Sequence, residues 1–145
     1  MDKKQFDKII DFAVKREKDA ILFYNDLRDR DSFRKHRDLL DTLVEMEKVH
    51  IDVLESLRVK TMKHVLLPRI ENMDTRDYNP SPVLTPDMSY EDILYMAISR
   101  EEESFQLYTK LARGCLEPDI KKLFLRLAAE EVGHKTQFER LVDGL

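Results

Sequence analysis

At 145 residues, 42% of them hydrophobic and 37% charged, the chain is long enough for one core and short for two, so one domain over residues 1–145 is expected. A net charge of −4, with basic residues scattered among acidic ones, offers no field for nucleic acid, while three Gly, five Pro and no Trp point to a helical protein. Cys115 alone excludes an intrachain disulfide and a four-thiolate site, and no apolar run suits a signal peptide or a membrane span, so a cytoplasmic protein without a membrane partner is expected.

From about residue 3 to 28, Phe6, Ile9, Ile10, Ala13, Ala20, Tyr24 and Leu27 recur at helical spacing with no Gly or Pro among them. Glu17 falls on this stripe and is its one inward charge. Arg28 to Asp31 make a short polar turn, and Ser32 is the expected N-cap of a second helix over about 32–61. That helix aligns Leu40, Leu43, Glu47, His50, Leu54 and Leu57. Beyond Thr61 the regularity fails, and Pro68, Pro80, Pro82 and Pro86 rule out one continuous helix. A crossover over about 62–89 can reach along a whole bundle, so the third helix should run parallel to the second.

Ser89 and Asp92 resemble a capping box for a third helix over about 90–113, with Leu94, Ala97, Ile98, Glu101, Phe105, Tyr108 and Leu111 on its stripe. Gly114 ends it, and Pro118 suits the first turn of a fourth helix over about 118–142. Steps of four and three along that helix give Ile120, Phe124, Leu127, Glu131, His134, Phe138 and Leu141. The expected fold is all-α: two antiparallel helical hairpins joined by a long crossover into a four-helix bundle. Two separate domains would leave each hairpin unable to bury its seam.

The two hairpins repeat. Adding 84 carries Glu17 to Glu101, Tyr24 to Tyr108, Leu43 to Leu127, Glu47 to Glu131 and His50 to His134, with Ala13/Ala97 and Arg16/Arg100 also matched. A single Glu on a helix is usually a solvated charge, and a lone His on an apolar face is more often a hydrogen-bonded core residue. Six such groups at matched spacing on apolar stripes are different, because unpaired buried carboxylates are costly and a shared metal site removes that cost. Four carboxylates balance two divalent cations. Oxidising both cations adds two positive charges that an anion derived from the oxidant can compensate, which suits a two-electron reaction with oxygen or peroxide. Carboxylate and imidazole ligands favour iron or manganese, with zinc as an occupant in purified samples. Tyr24 and Tyr108, two turns after Glu17 and Glu101, either bond and orient ligand carboxylates or pack as core aromatics.

Glu17, Glu47-Lys-Val-His50, Glu101 and Glu131-Val-Gly-His134 resemble the ferritin-like superfamily of di-iron proteins, and rubrerythrin within it. VEMEKVHIDVLESL and AAEEVGHKTQFERL look like that family's second and fourth helices, and the likeness covers all four helices. The resemblance implies a ferritin-like bundle with two iron ions. Glu47 and Glu131 would bridge them, Glu17 and Glu101 would be terminal ligands, and His50 and His134 would each bind one.

Two departures matter. Rubrerythrins commonly have another Glu three residues after the third-helix ligand, where this chain has Ser104, and they often carry a four-cysteine rubredoxin domain. The remaining symmetric set is similar to the ferroxidase centre of bacterioferritin, yet no fifth helix follows, so a homodimer of bundles is expected and not a storage cage. The resemblance implies an oxidative-stress enzyme that reduces hydrogen peroxide or oxygen, and the departures from it imply electrons from an external donor such as a rubredoxin-like protein. Non-enzymatic iron handling by the same ligands is the alternative.

Overall fold

A computed structural model describes residues 2–62, 78 and 83–145. Its elements are α1 (Lys3–Arg28), a 3-10 helix (Asp31–His36), α2 (Arg37–Met62), α3 (Tyr90–Arg113) and α4 (Pro118–Asp143), with no strand among the described residues.

Local chemistry sets most of the ends. Asp2 and Gln5 form a capping box at α1: the Gln5 N–H donates to the Asp2 carboxylate at 2.7 Å, and the Asp2 N–H donates to the Gln5 side chain at 3.1 Å. Ser89 accepts from the Asp92 N–H at 3.1 Å to open α3, and Pro118 occupies the first turn of α4. Gly114 caps α3 in a right-handed conformation (φ −82°), so its value there is not a left-handed turn.

One expected boundary is wrong. The helix predicted from Ser32 begins at Arg37, and Ser32 lies inside the 3-10 turn without capping α2. The cause is packing: the tighter turn buries Phe33 completely against Tyr90, ring centroids 5.0 Å apart, which fastens the α1–α2 corner to the start of α3. Tyr90 also meets His36, whose Nε2 is 2.9 Å from the Tyr90 hydroxyl.

Contacts fix the helix directions. Lys3 at the start of α1 reaches the Arg58 carbonyl (2.9 Å) and Thr61 (3.0 Å) near the end of α2, while Arg28 pairs with Asp41 at 2.8 Å at the opposite end. The hairpin is therefore antiparallel. Leu111 and Ala112 share a cluster with Ile120 and Phe124, and Ile93 and Leu94 share one with Phe138, so α3 and α4 are antiparallel too. Tyr24 bonds Glu101 and Tyr108 bonds Glu17, which sets α1 against α3 in opposite directions. It follows that α2 and α3 run parallel, as a crossover demands. Most of the crossover expected over about 62–89 lies outside the described residues; Met62 itself ends α2.

The core is two apolar clusters. One gathers Phe6, Ile10, Leu54, Leu57, Leu111 and Phe124; the other gathers Leu27, Phe33, Leu40, Leu43, Leu94 and Phe138. Ile98, Phe105 and Leu141, placed on inner stripes by periodicity, are half-buried and pack at the cluster edges. Between the clusters lies a charged layer.

Candidate metal centre

Each helix lends the layer side chains from the middle of its apolar stripe: Glu17 from α1, Glu47 and His50 from α2, Glu101 from α3, Glu131 and His134 from α4. None of the six is more than 3% exposed. A spacing of three residues keeps each Glu and its His on one helix face, and the antiparallel pairing of α2 with α4 brings the two motifs nose to tail. His50 Nδ1 lies 2.9 Å from Glu131, 3.5 Å from Glu47 and 3.6 Å from Glu17. His134 Nδ1 lies 3.0 Å from Glu47 and 3.6 Å from Glu101. The imidazoles face each other 5.9 Å apart, nearly parallel at 13°.

Two overlapping groups result. Glu17, Glu47, His50 and Glu131 offer ligand atoms all within 4.8 Å of one another, and so do Glu47, Glu101, Glu131 and His134. Glu47 and Glu131 belong to both. These are the residues that the family resemblance assigns as bridges.

The fit to metal rests on atoms left without partners. Glu17 Oε2, Glu47 Oε1, His50 Nδ1, Glu101 Oε2, Glu131 Oε1 and His134 Nδ1 are all buried with no hydrogen bond among the described residues; the other two such atoms are Nε of Arg16 and Arg100. A buried polar atom without a partner costs about 1–3 kcal/mol, and more when charged. One orphaned atom from each of six residues, all converging, is the pattern that cations resolve. Several of these atoms approach each other within 3 Å without the alignment of a hydrogen bond.

Proton affinities tell the same story. Burial, reinforced by the charges of Glu131 and Glu17, pushes Glu47 well above the usual carboxylate range, and burial with Glu101 and Glu17 does so to Glu131. Glu101 is pushed up to about 7, by burial first. Glu17 goes the other way: burial raises it, but the nearby Glu47 and His50 side chains and the Tyr108 hydroxyl together lower it further. His50 rises to about 10: burial opposes its charge, but the close carboxylates of Glu131 and Glu17 prevail. Burial holds His134 below its ordinary value. Carboxylates raised in this way hold protons that bound cations would displace.

The two tyrosines act across the halves. Tyr24 of α1 donates its hydroxyl to Glu101 of α3, and Tyr108 of α3 donates to Glu17 of α1. Each of these two carboxylates keeps one oxygen on a tyrosine and leaves the other buried without a partner among the described residues. Burial and the Glu17 charge raise the Tyr108 hydroxyl well above its usual value, so it remains a donor. Ser104, at the position where the family resemblance expects a further Glu, accepts from Arg16 at 3.3 Å and offers no carboxylate.

Two contacts were missed by the sequence reading. Glu130 places Oε2 at 2.6 Å from His50 Nε2, and Met46 places Sδ at 3.4 Å from His134 Nε2. The 84-residue offset pairs these two positions with each other, so the signal was present one residue before each Glu shared by the two groups.

No helix among the described residues is long and apolar enough to cross a membrane. The family model described as Rubrerythrin matches residues 1–58 and 92–145, which include all six residues of the layer. No curated protein and no solved structure matches the chain.

Proposed function

Because the chain belongs to the rubrerythrin family, we propose that its charged layer is a two-iron centre that reduces hydrogen peroxide or oxygen with electrons from a separate donor. The observation that supports this reading above all is the set of six inward, partnerless ligand atoms. Glu17, Glu47, His50 and Glu131 would hold one ion, and Glu47, Glu101, Glu131 and His134 the other. When bound, two ferrous ions supply the two electrons that, with two protons, turn hydrogen peroxide into two waters.

The protein's own groups would prepare that chemistry. Four carboxylates match the charge of two divalent cations, so the reduced centre is neutral in an interior that tolerates little net charge. Tyr24 and Tyr108 hold Glu101 and Glu17 in place, and the apolar clusters on either side keep bulk water from the layer. A rubredoxin-like donor, a homodimeric assembly and a reducing cytoplasm belong to the same reading.

Ser104 favours keeping a second reading in view. With no seventh ligand at this position, the symmetric set is also that of an iron-handling, ferroxidase-type protein. Rapid mixing of the reduced, iron-loaded protein with each oxidant separates the two. The peroxidase reading expects reoxidation by peroxide much faster than by oxygen, at two irons per chain; equal rates, or uptake of more than two irons per chain, would favour iron handling.

A further inference from the structure

The two halves of the layer match residue for residue at the inward atoms and differ at the outward ones. Both imidazoles turn Nδ1 to the carboxylates, so a ligating neutral ring must carry its proton on Nε2. For His50 that proton meets a carboxylate: Glu130 Oε2 at 2.6 Å, whose partner oxygen Oε1 accepts from Arg126 Nε at 3.2 Å. For His134 the partner among the described residues is the Met46 thioether at 3.4 Å, a weak acceptor.

A carboxylate behind a histidine fixes the tautomer, locks the ring and makes the ligating nitrogen more basic. A thioether does none of these well. We infer that the paired ion positions are unequal: Glu130 is a positioning residue that makes the His50 position the tighter, and Met46 leaves the His134 position the weaker. The inference rests on the two-metal reading above and adds an order of filling to it.

The surroundings reinforce the difference. Glu130 is about one-quarter exposed and ends in an exposed ion pair, so it links His50 to the surface through charged groups. Met46 is half-buried and lines a shallow apolar groove with Thr42 and Val49. One histidine is anchored by a charge-assisted bond, while the other abuts a flexible side chain.

Anaerobic titration with Co²⁺, followed by absorption and calorimetry, tests this without turnover. The wild-type protein should bind two Co²⁺ per chain in resolved steps. Glu130→Met should weaken the tighter step by about 10–100-fold and leave the weaker one in place, while Glu130→Gln, which keeps an acceptor, should weaken it less. Met46→Glu should strengthen the weaker step and narrow the gap from the other side. Two indistinguishable steps in the wild-type protein, or equal weakening of both steps by Glu130→Met, would overturn the inference while leaving the two-metal reading intact. Binding of no Co²⁺ at all would bring down both.

Discussion

Leu54 and Leu57 lie one and two turns beyond His50 on α2, and all three are completely buried, yet their burial has opposite consequences. The leucines gain about 1.5–3 kcal/mol each by leaving water. His50 and the carboxylates around it lose solvation, and the described protein groups do not satisfy them all. The bundle is thus two apolar clusters that hold themselves together, clamped around a charged layer that only protons or cations can settle. Stability and function occupy different levels of the same four helices.

Substitutions should separate those levels. The largest effect is expected from Glu47→Gln with Glu131→Gln, which removes both shared carboxylates: metal binding should be lost, together with the roughly 4 kcal/mol of stabilisation that one ion gives at a thousandfold excess over its Kd. Thermal melts with and without Fe²⁺ would read this as a metal-induced rise in Tm that disappears. Melts without metal should show the variant equal to or more stable than the parent, since repelling buried acids have been removed. Phe124→Ala acts on a flank, and should cost about 3–5 kcal/mol in denaturant unfolding while leaving metal stoichiometry intact. Loss of metal in that variant would show that the two levels are not separable.

Acidity should sharpen the contrast next. Glu101, raised to about 7, contributes stability that is complete below its unfolded value near 4.5 and lost as pH rises through 7. Glu47 and Glu131 act in the same direction, and His50 loses its contribution between about 6.5 and 10. Glu17 and His134 oppose them, favouring higher pH. The metal-free protein should therefore unfold at lower denaturant at pH 8 than at pH 6, and metal affinity should rise over the same interval as protons are displaced. The smallest effect belongs to Tyr108→Phe, which removes one donor to Glu17 and should cost about 1–3 kcal/mol, measurable as a shift in unfolding midpoint.

The charged layer was legible in the sequence because its members sit on 3.6-residue stripes otherwise made of Leu, Phe and Ile, and because an 84-residue offset repeats them. The helices followed from the same periodicity, with Pro118, Gly114 and Ser89 marking their ends. What escaped depended on contacts between helices. Phe33 closes a 3-10 turn because Tyr90, far along the chain, receives it. The tyrosine bonds cross from one hairpin to the other, which spacing along one helix does not reveal. Glu130 and Met46 stand beside the stripes, where a charge is ordinarily solvated, and only the pairing of α2 with α4 brings them against histidines.

The most direct test of the whole account is the iron content of anaerobically reconstituted protein, by elemental analysis. Two irons per chain, falling to none in the Glu47→Gln, Glu131→Gln variant, is the result the account predicts. Two irons per chain retained by that variant, or no iron bound by the parent, would contradict it.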